Sequence, residues 1–195
     1  QPFPAPLDGP PDSDTPLRYF SLFGRRAQCA SLEPPVGECP PLRSISLLHL
    51  ACVRQESELI EACAASGFDL NARAQDGRTP LQWAVVGGSP EVVQQMLRAG
   101  AEVDGRGRRG DTALMTAVER ERAELVDLLL AAGAGATLAD LGGFTALHRA
   151  AEMNQAAVVA SLMRAGADPG AASLVEGLTA LDLAATPEIV ELLRT

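Results

Sequence analysis

Lysine is absent from this 195-residue chain, and all 16 of its basic side chains are arginine. Against them stand 25 acidic residues, which leaves a formal charge of −9. Nucleic-acid binding draws most of its affinity from cationic side chains neutralising phosphates, so no nucleic-acid partner is expected. The lysine deficit itself reads as the coding bias of a GC-rich bacterial genome rather than as a physical device. Aromatics are also scarce, at 4% with one Trp and one Tyr, while 47% of residues are hydrophobic and drawn mainly from Ala, Leu and Val. That composition fits small helices packed closely and argues against a bulky globular core. No apolar run approaches the roughly 20 residues that a membrane-spanning helix needs, so no membrane span and a soluble protein are expected.

Histidine is limited to His49 and His148. Catalysis needs a nucleophile, a base and an orienting group in one place, and two histidines this far apart offer little towards it. No metal-ligand spacing is present. Gly105, Gly107 and Gly110 follow no predicted strand, which removes the phosphate-loop reading. The expectation is therefore a protein that is not an enzyme and holds no cofactor or metal.

What the chain does have is proline at one end and a repeat over the rest. Ten of its 14 prolines precede residue 42, and they confine regular structure there to short pieces. One such piece is a helix over residues 15–24, with Thr15 as N-cap and Pro16 at the first position. It carries Leu17, Tyr19, Phe20, Leu22 and Phe23, enough apolar surface to predict that residues 1–45 fold back as a cap. A disordered tail whose aromatics recruit a partner is the alternative.

Beyond residue 45 the sequence repeats. Thr79, Thr112 and Thr145 are spaced by 33 residues, and each opens a short apolar helix followed by a turn and a second helix. A fixed period of this length signals one supersecondary unit stacked on itself, because a single copy cannot bury its apolar face. Repeats are predicted to start near 46, 79, 112, 145 and 179. Second helices carry apolar stripes: Val92, Val93, Met96 and Leu97; Leu125, Val126, Leu129 and Leu130; Val158, Val159, Leu162 and Met163. Gly100, Gly133 and Gly166 end them, where a left-handed backbone is wanted. The turn before Thr179 is longer by one residue, and the repeat it opens is shortened, as befits an end cap.

Gly143, Thr145, Ala146, Leu147, His148, Ala150 and Ala151 resemble the ankyrin repeat, as do Gly77, Thr79, Pro80, Leu81 and Ala84. The resemblance covers about four fifths of the chain, from near Ser46 to the end. It implies an all-α ankyrin-repeat solenoid of about five helix-turn-helix repeats with projecting hairpin loops, here preceded by the Pro-rich N-terminal cap. It further implies that His49 and His148 bond backbone between neighbouring loops. Gln82, Met115 and Asp182 stand where the family often has His, which is expected to loosen local hydrogen bonding.

The family's geometry implies a concave face that binds a protein partner. Its candidate contact residues here are Arg78, Trp83, Arg108, Arg109, Arg120, Leu141, Phe144, Arg149, Met153 and Leu178. Arginines gather at the second and third repeats and apolar tips at the fourth and fifth, among them Leu174, so the expected partner presents an acidic patch beside an apolar one. The protein is expected to be a monomer. An inhibitor, immunity or accessory protein of an exported or stress enzyme is one such role; a cytosolic or host-directed adaptor or scaffold with reduced thiols is the alternative.

The four cysteines, Cys29, Cys39, Cys52 and Cys63, lie in the first third of the chain. Two disulfides are expected, Cys29 with Cys39 and Cys52 with Cys63, although the other two connectivities stay open. Disulfides would place the protein in an oxidising compartment, periplasmic or secreted; reduced thiols would place it in the cytoplasm. The start at Gln1, without an initiator Met, fits either a removed secretory signal or an arbitrary boundary.

Overall fold

Threonine hydroxyls start the first helices of the three central repeats. In the computed structural model, which describes residues 47–174 and 176–194, Thr79, Thr112 and Thr145 stand at N-cap positions with extended backbone. Their hydroxyls accept from the backbone N–H groups of Gln82, Met115 and His148, at 3.3, 3.4 and 3.4 Å. Each cap satisfies a donor that the helix itself leaves unpaired. The Pro-rich segment, its expected helix over 15–24, Ser46, Cys29, Cys39 and Val175 lie outside the described residues.

Ten helices follow in pairs among the described residues. They are α1 (Leu47–Arg54) with α2 (Ser57–Ala65), α3 (Pro80–Gly87) with α4 (Pro90–Arg98), and α5 (Ala113–Glu119) with α6 (Ala123–Ala131). Then come α7 (Ala146–Glu152) with α8 (Ala156–Arg164), and the short α9 (Ala180–Leu183) with α10 (Pro187–Leu193). First helices pack on first helices and second on second, which makes two parallel layers with the core between them. That core is small-residue rich, as the composition requires: Ala51, Ala84, Ala117, Ala150 and Ala180 are fully buried in the first-helix layer. Burying the larger side chains beside them, such as Ile60, Leu129 and Leu162, contributes about 1.5–3 kcal/mol each. The second-helix stripes are one residue narrower than expected, since Leu97, Leu130 and Met163 are only half-buried.

The connections between pairs are hairpins closed by their own backbone. Ala74 donates to Arg78 O, Gly107 to Asp111 O and Asp140 to Phe144 O, at 2.9, 2.8 and 2.9 Å. In the last hairpin Ser173 donates to Leu178 O, spanning five residues instead of four, which is the extra residue seen in the sequence. No strand occurs among the described residues beyond isolated bridges at Ala139 with Thr145 and Ala172 with Thr179.

Buried polar side chains then tie hairpin to helix. His148 Nδ1 accepts from the Thr145 N–H at 3.1 Å, and its Nε2–H donates to Leu178 O of the next hairpin at 3.0 Å. His49 Nε2 reaches Arg78 O at 3.2 Å in the same way. Both histidines are therefore inter-repeat tethers, as the resemblance implied. Gln82 was expected to loosen this bonding and does not. Its Oε1 accepts from the Thr79 N–H at 2.9 Å and its amide donates to Asp111 O at 2.9 Å, reproducing both halves of the histidine's role. Met115, buried and apolar, makes no such tether to Phe144 O.

His49 carries a pH dependence. Burial holds its imidazole below the usual 6.5, against the smaller opposing pulls of the Arg78 carbonyl and the Asp76 charge. A histidine kept neutral in the fold gives stability that is fully present above about pH 6.5, because neither state is then protonated. As pH falls below that value the unfolded chain takes up its proton before the folded one does, and stability drops, by at most about 1.4 kcal/mol per pH unit. Urea midpoints should therefore fall between pH 7.5 and pH 5, and His49→Gln should flatten that slope.

The expected Cys52–Cys63 bridge is not formed. Cys52 is a free thiol, fully buried in α1, and burial together with neighbouring Cys63 pushes it up to about 12. A thiol held so firmly protonated in an apolar core packs as a small hydrophobic group.

Candidate functional site

Hairpins and first helices present a common face, and glycine governs how closely its hairpin tips approach. Gly110 has φ +75° and Gly143 φ +80°, a left-handed backbone that L side chains adopt only with strain. A Cβ at Gly110 would lie 3.1 Å from Leu141 N; one at Gly143 would lie 2.6 Å from Leu174 N. Each glycine is thus the seat of the next repeat's tip residue. Backbone bonds lock the seating: Leu141 N donates to Arg109 O and Leu174 N to Gly142 O, both at 2.9 Å. Gly77 lies equally close against Arg108, without a corresponding backbone bond among the described residues.

Leu141 and Leu174 emerge from this seating 74% and 77% exposed, the two most exposed large hydrophobic residues described. Arg108 and Arg109 stand exposed on the preceding tip. Arg108 makes no ion pair among the described residues, and Arg109 only a loose one to Glu119 at 3.8 Å. Arg78, by contrast, pairs with Asp76 at 3.2 Å, and its guanidinium lies 6.0 Å from the centre of the Trp83 ring. Asp76, Arg78, Arg108, Arg109 and Asp111 line an open cleft of about 200 Å³ between the two tips.

The first helices contribute less free surface than their sequence positions suggested. Trp83 is half-buried, and its Nε1 is shielded from solvent without a hydrogen-bond partner among the described residues. Arg149 is clamped between Glu119 and Asp140, the latter at 2.6 Å. Asp140 in turn accepts from the backbone N–H groups of Gly142 and Phe144, at 2.8 and 3.0 Å. Arg149 therefore braces the hairpin over residues 140–144 against two helices. Phe144 is half-buried, with its ring edge-to-face on His148 at 5.6 Å. Arg120 and Met153 are exposed at the ends of α5 and α7, and Leu178 is half-buried.

The structure thus brings Arg108, Arg109 and Leu141 to one edge, with Arg78 and Trp83 alongside, and commits Arg149 and Phe144 to internal contacts. Glu119 and Asp140 were not singled out from the sequence. The available signal was charge opposition across one repeat, because Glu119 and Arg149 are 30 residues apart in a chain that repeats every 33. No group of three or more His, Cys, Asp or Glu side chains able to hold a metal occurs among the described residues.

Comparison with known proteins is consistent with this geometry. A family model described as ankyrin repeats in three copies matches residues 35–107 and 88–173. The crystal structure of the ankyrin repeat domain of Bcl-3, described as a unique member of the IkappaB protein family, is similar, with a TM-score of 0.75 and 32% identity. The match covers 79% of this chain and 69% of that one. No curated protein matches. In all, 488 chains of known structure match, so the fold by itself does not select a partner. With the family's repeats found over well over half of its length and its inter-repeat tethers in place, the chain belongs to the ankyrin-repeat family.

Proposed function

We propose that the chain is a non-enzymatic binding module whose hairpin and first-helix face takes a protein partner presenting an acidic patch beside an apolar one. Membership of the ankyrin-repeat family makes it a protein–protein interaction module. The partner's chemistry is argued from one observation: Arg108 and Arg109, on a chain of net charge −9, stand exposed beside exposed Leu141. Such a local reversal of charge steers an acidic surface towards the edge, and the leucine offers it apolar contact. A partner captured from extract and then purified should bind the Trp83→Ala, Arg109→Glu variant at least tenfold more weakly than the native chain. Equal affinity for both would defeat this reading.

A second reading concerns compartment, and with it the choice between an inhibitor or accessory of an exported enzyme and a cytosolic adaptor. The free thiol of Cys52 supports the reduced, cytosolic alternative. Export to a bacterial periplasm now rests on the Cys29–Cys39 pair alone. Thiol titration of protein isolated without reductant decides the matter. Four titratable thiols after unfolding support the adaptor; two, with Cys29 and Cys39 joined, support export. In either case Cys52 should react only on unfolding, since burial keeps it from forming thiolate.

A further inference from the structure

The seating of one hairpin tip on the next does more than hold the stack together. It fixes Arg108, Leu141 and Leu174 as successive members of a single ridge, each lodged against the glycine of the hairpin before it. Two of the three are leucines about three quarters exposed, held by backbone hydrogen bonds rather than on free loops. Exposed apolar side chains on a rigid support are pre-organised for contact, because little conformational freedom remains to be lost on binding. Charge varies along the same line. Arg108 and Arg109 mark the third-repeat end, while Glu176 stands exposed on the last hairpin beside Leu174.

Resting on the protein-binding reading above, we infer that the ridge binds an extended protein segment carrying an acidic residue followed by two apolar ones, spaced three residues apart. The spacing follows from two lengths. Helices of neighbouring repeats pack about 10 Å apart, so their tips recur at about that interval. A segment in the extended polyproline II form rises about 3.1 Å per residue with about three residues per turn, so every third side chain returns to the same face and meets the next tip. The acidic residue sits at the Arg108 end, at the mouth of the cleft where Arg78, Arg108 and Arg109 outnumber Asp76 and Asp111. Placed midway, it would face Leu141, where Asp140 is already engaged by Arg149 and the neighbouring Arg106 is tied to the Gly110 and Ala139 carbonyls.

Two heptapeptides test the order: acetyl-Asp-Gly-Ser-Leu-Gly-Ser-Leu-amide, and acetyl-Leu-Gly-Ser-Asp-Gly-Ser-Leu-amide with the acid moved between the leucines. Each is titrated into the ¹⁵N-labelled full chain and followed by amide chemical shifts. The first should move the amides of Arg108, Leu141 and Leu174, and bind at least tenfold more tightly than the second. Arg108→Glu with Arg109→Glu should remove that preference, and restore binding to a peptide in which Lys replaces Asp. Leu141→Ser with Leu174→Ser, both at exposed positions, should abolish binding of either peptide while leaving the spectrum otherwise folded. Equal affinity for the two peptides overturns the order. Shifts confined to Trp83 and Arg120 overturn the ridge while sustaining the protein-binding reading. No shift anywhere overturns the ridge as a peptide site, and the partner-affinity experiment above then judges the broader reading on its own.

Discussion

Gly143→Ala should destabilise the chain by about 2–4 kcal/mol, although it adds one methyl group at a hairpin. The left-handed backbone alone, at φ +80°, costs an L residue roughly 1–2 kcal/mol. The methyl would then lie 2.6 Å from Leu174 N and 2.9 Å from Leu174 Cγ. Leu174 cannot withdraw cheaply, because its N–H is bonded to Gly142 O at 2.9 Å. Gly177 is the internal control. Its φ is +67°, but among the described residues nothing lies within 4 Å of the position a Cβ would take, so Gly177→Ala should cost only the backbone term. Urea unfolding of the two variants, monitored by far-UV circular dichroism, separates strain from collision. Equal losses would mean that the tips are not tightly seated, and would remove the rigidity on which the ridge depends.

The contrast between these glycines marks what the sequence reveals and what it withholds. Gly100, Gly133 and Gly166 were legible as helix stops, and their φ values of +100°, +88° and +83° agree, because the requirement is local. That Gly143 must also clear the next tip depends on a residue 31 positions later, and no local rule reaches that far. The candidate face divides along the same line. Exposure of Arg108, Arg109 and Leu141 could be read from hairpin position. Commitment of Arg149 could not, because its clamp draws Glu119 from the preceding repeat and Asp140 from its own hairpin. Phe144 looked like a tip residue for the same reason, and turns inward against His148. The Cys52–Cys63 expectation failed differently. Cysteine spacing indicates where sulfurs lie in the chain, but a bridge needs a specific approach of Cα and Cβ atoms that spacing does not fix.

His148→Ala should cost about 3 kcal/mol and His148→Gln less than about 1, a gap that isolates hydrogen bonding from volume. Alanine leaves a cavity at a fully buried site and strips partners from two backbone groups. The Thr145 N–H loses the Nδ1 acceptor at 3.1 Å, and Leu178 O loses the Nε2 donor at 3.0 Å. Leu178 O keeps its bond from Ser173 N, so the heavier loss falls on the Thr145 donor. Glutamine is tolerated for a reason already present in the molecule. At the equivalent place one pair of repeats earlier, Gln82 Oε1 accepts from Thr79 N and its amide donates to Asp111 O. The two side chains differ in shape but deliver an acceptor and a donor to the same two backbone atoms. Chemical denaturation of the three proteins at pH 7.5 checks the ranking. If glutamine proved as damaging as alanine, the shape of the imidazole and its edge-on contact with Phe144 would outweigh the tether, and the likeness between Gln82 and His148 would be geometric only.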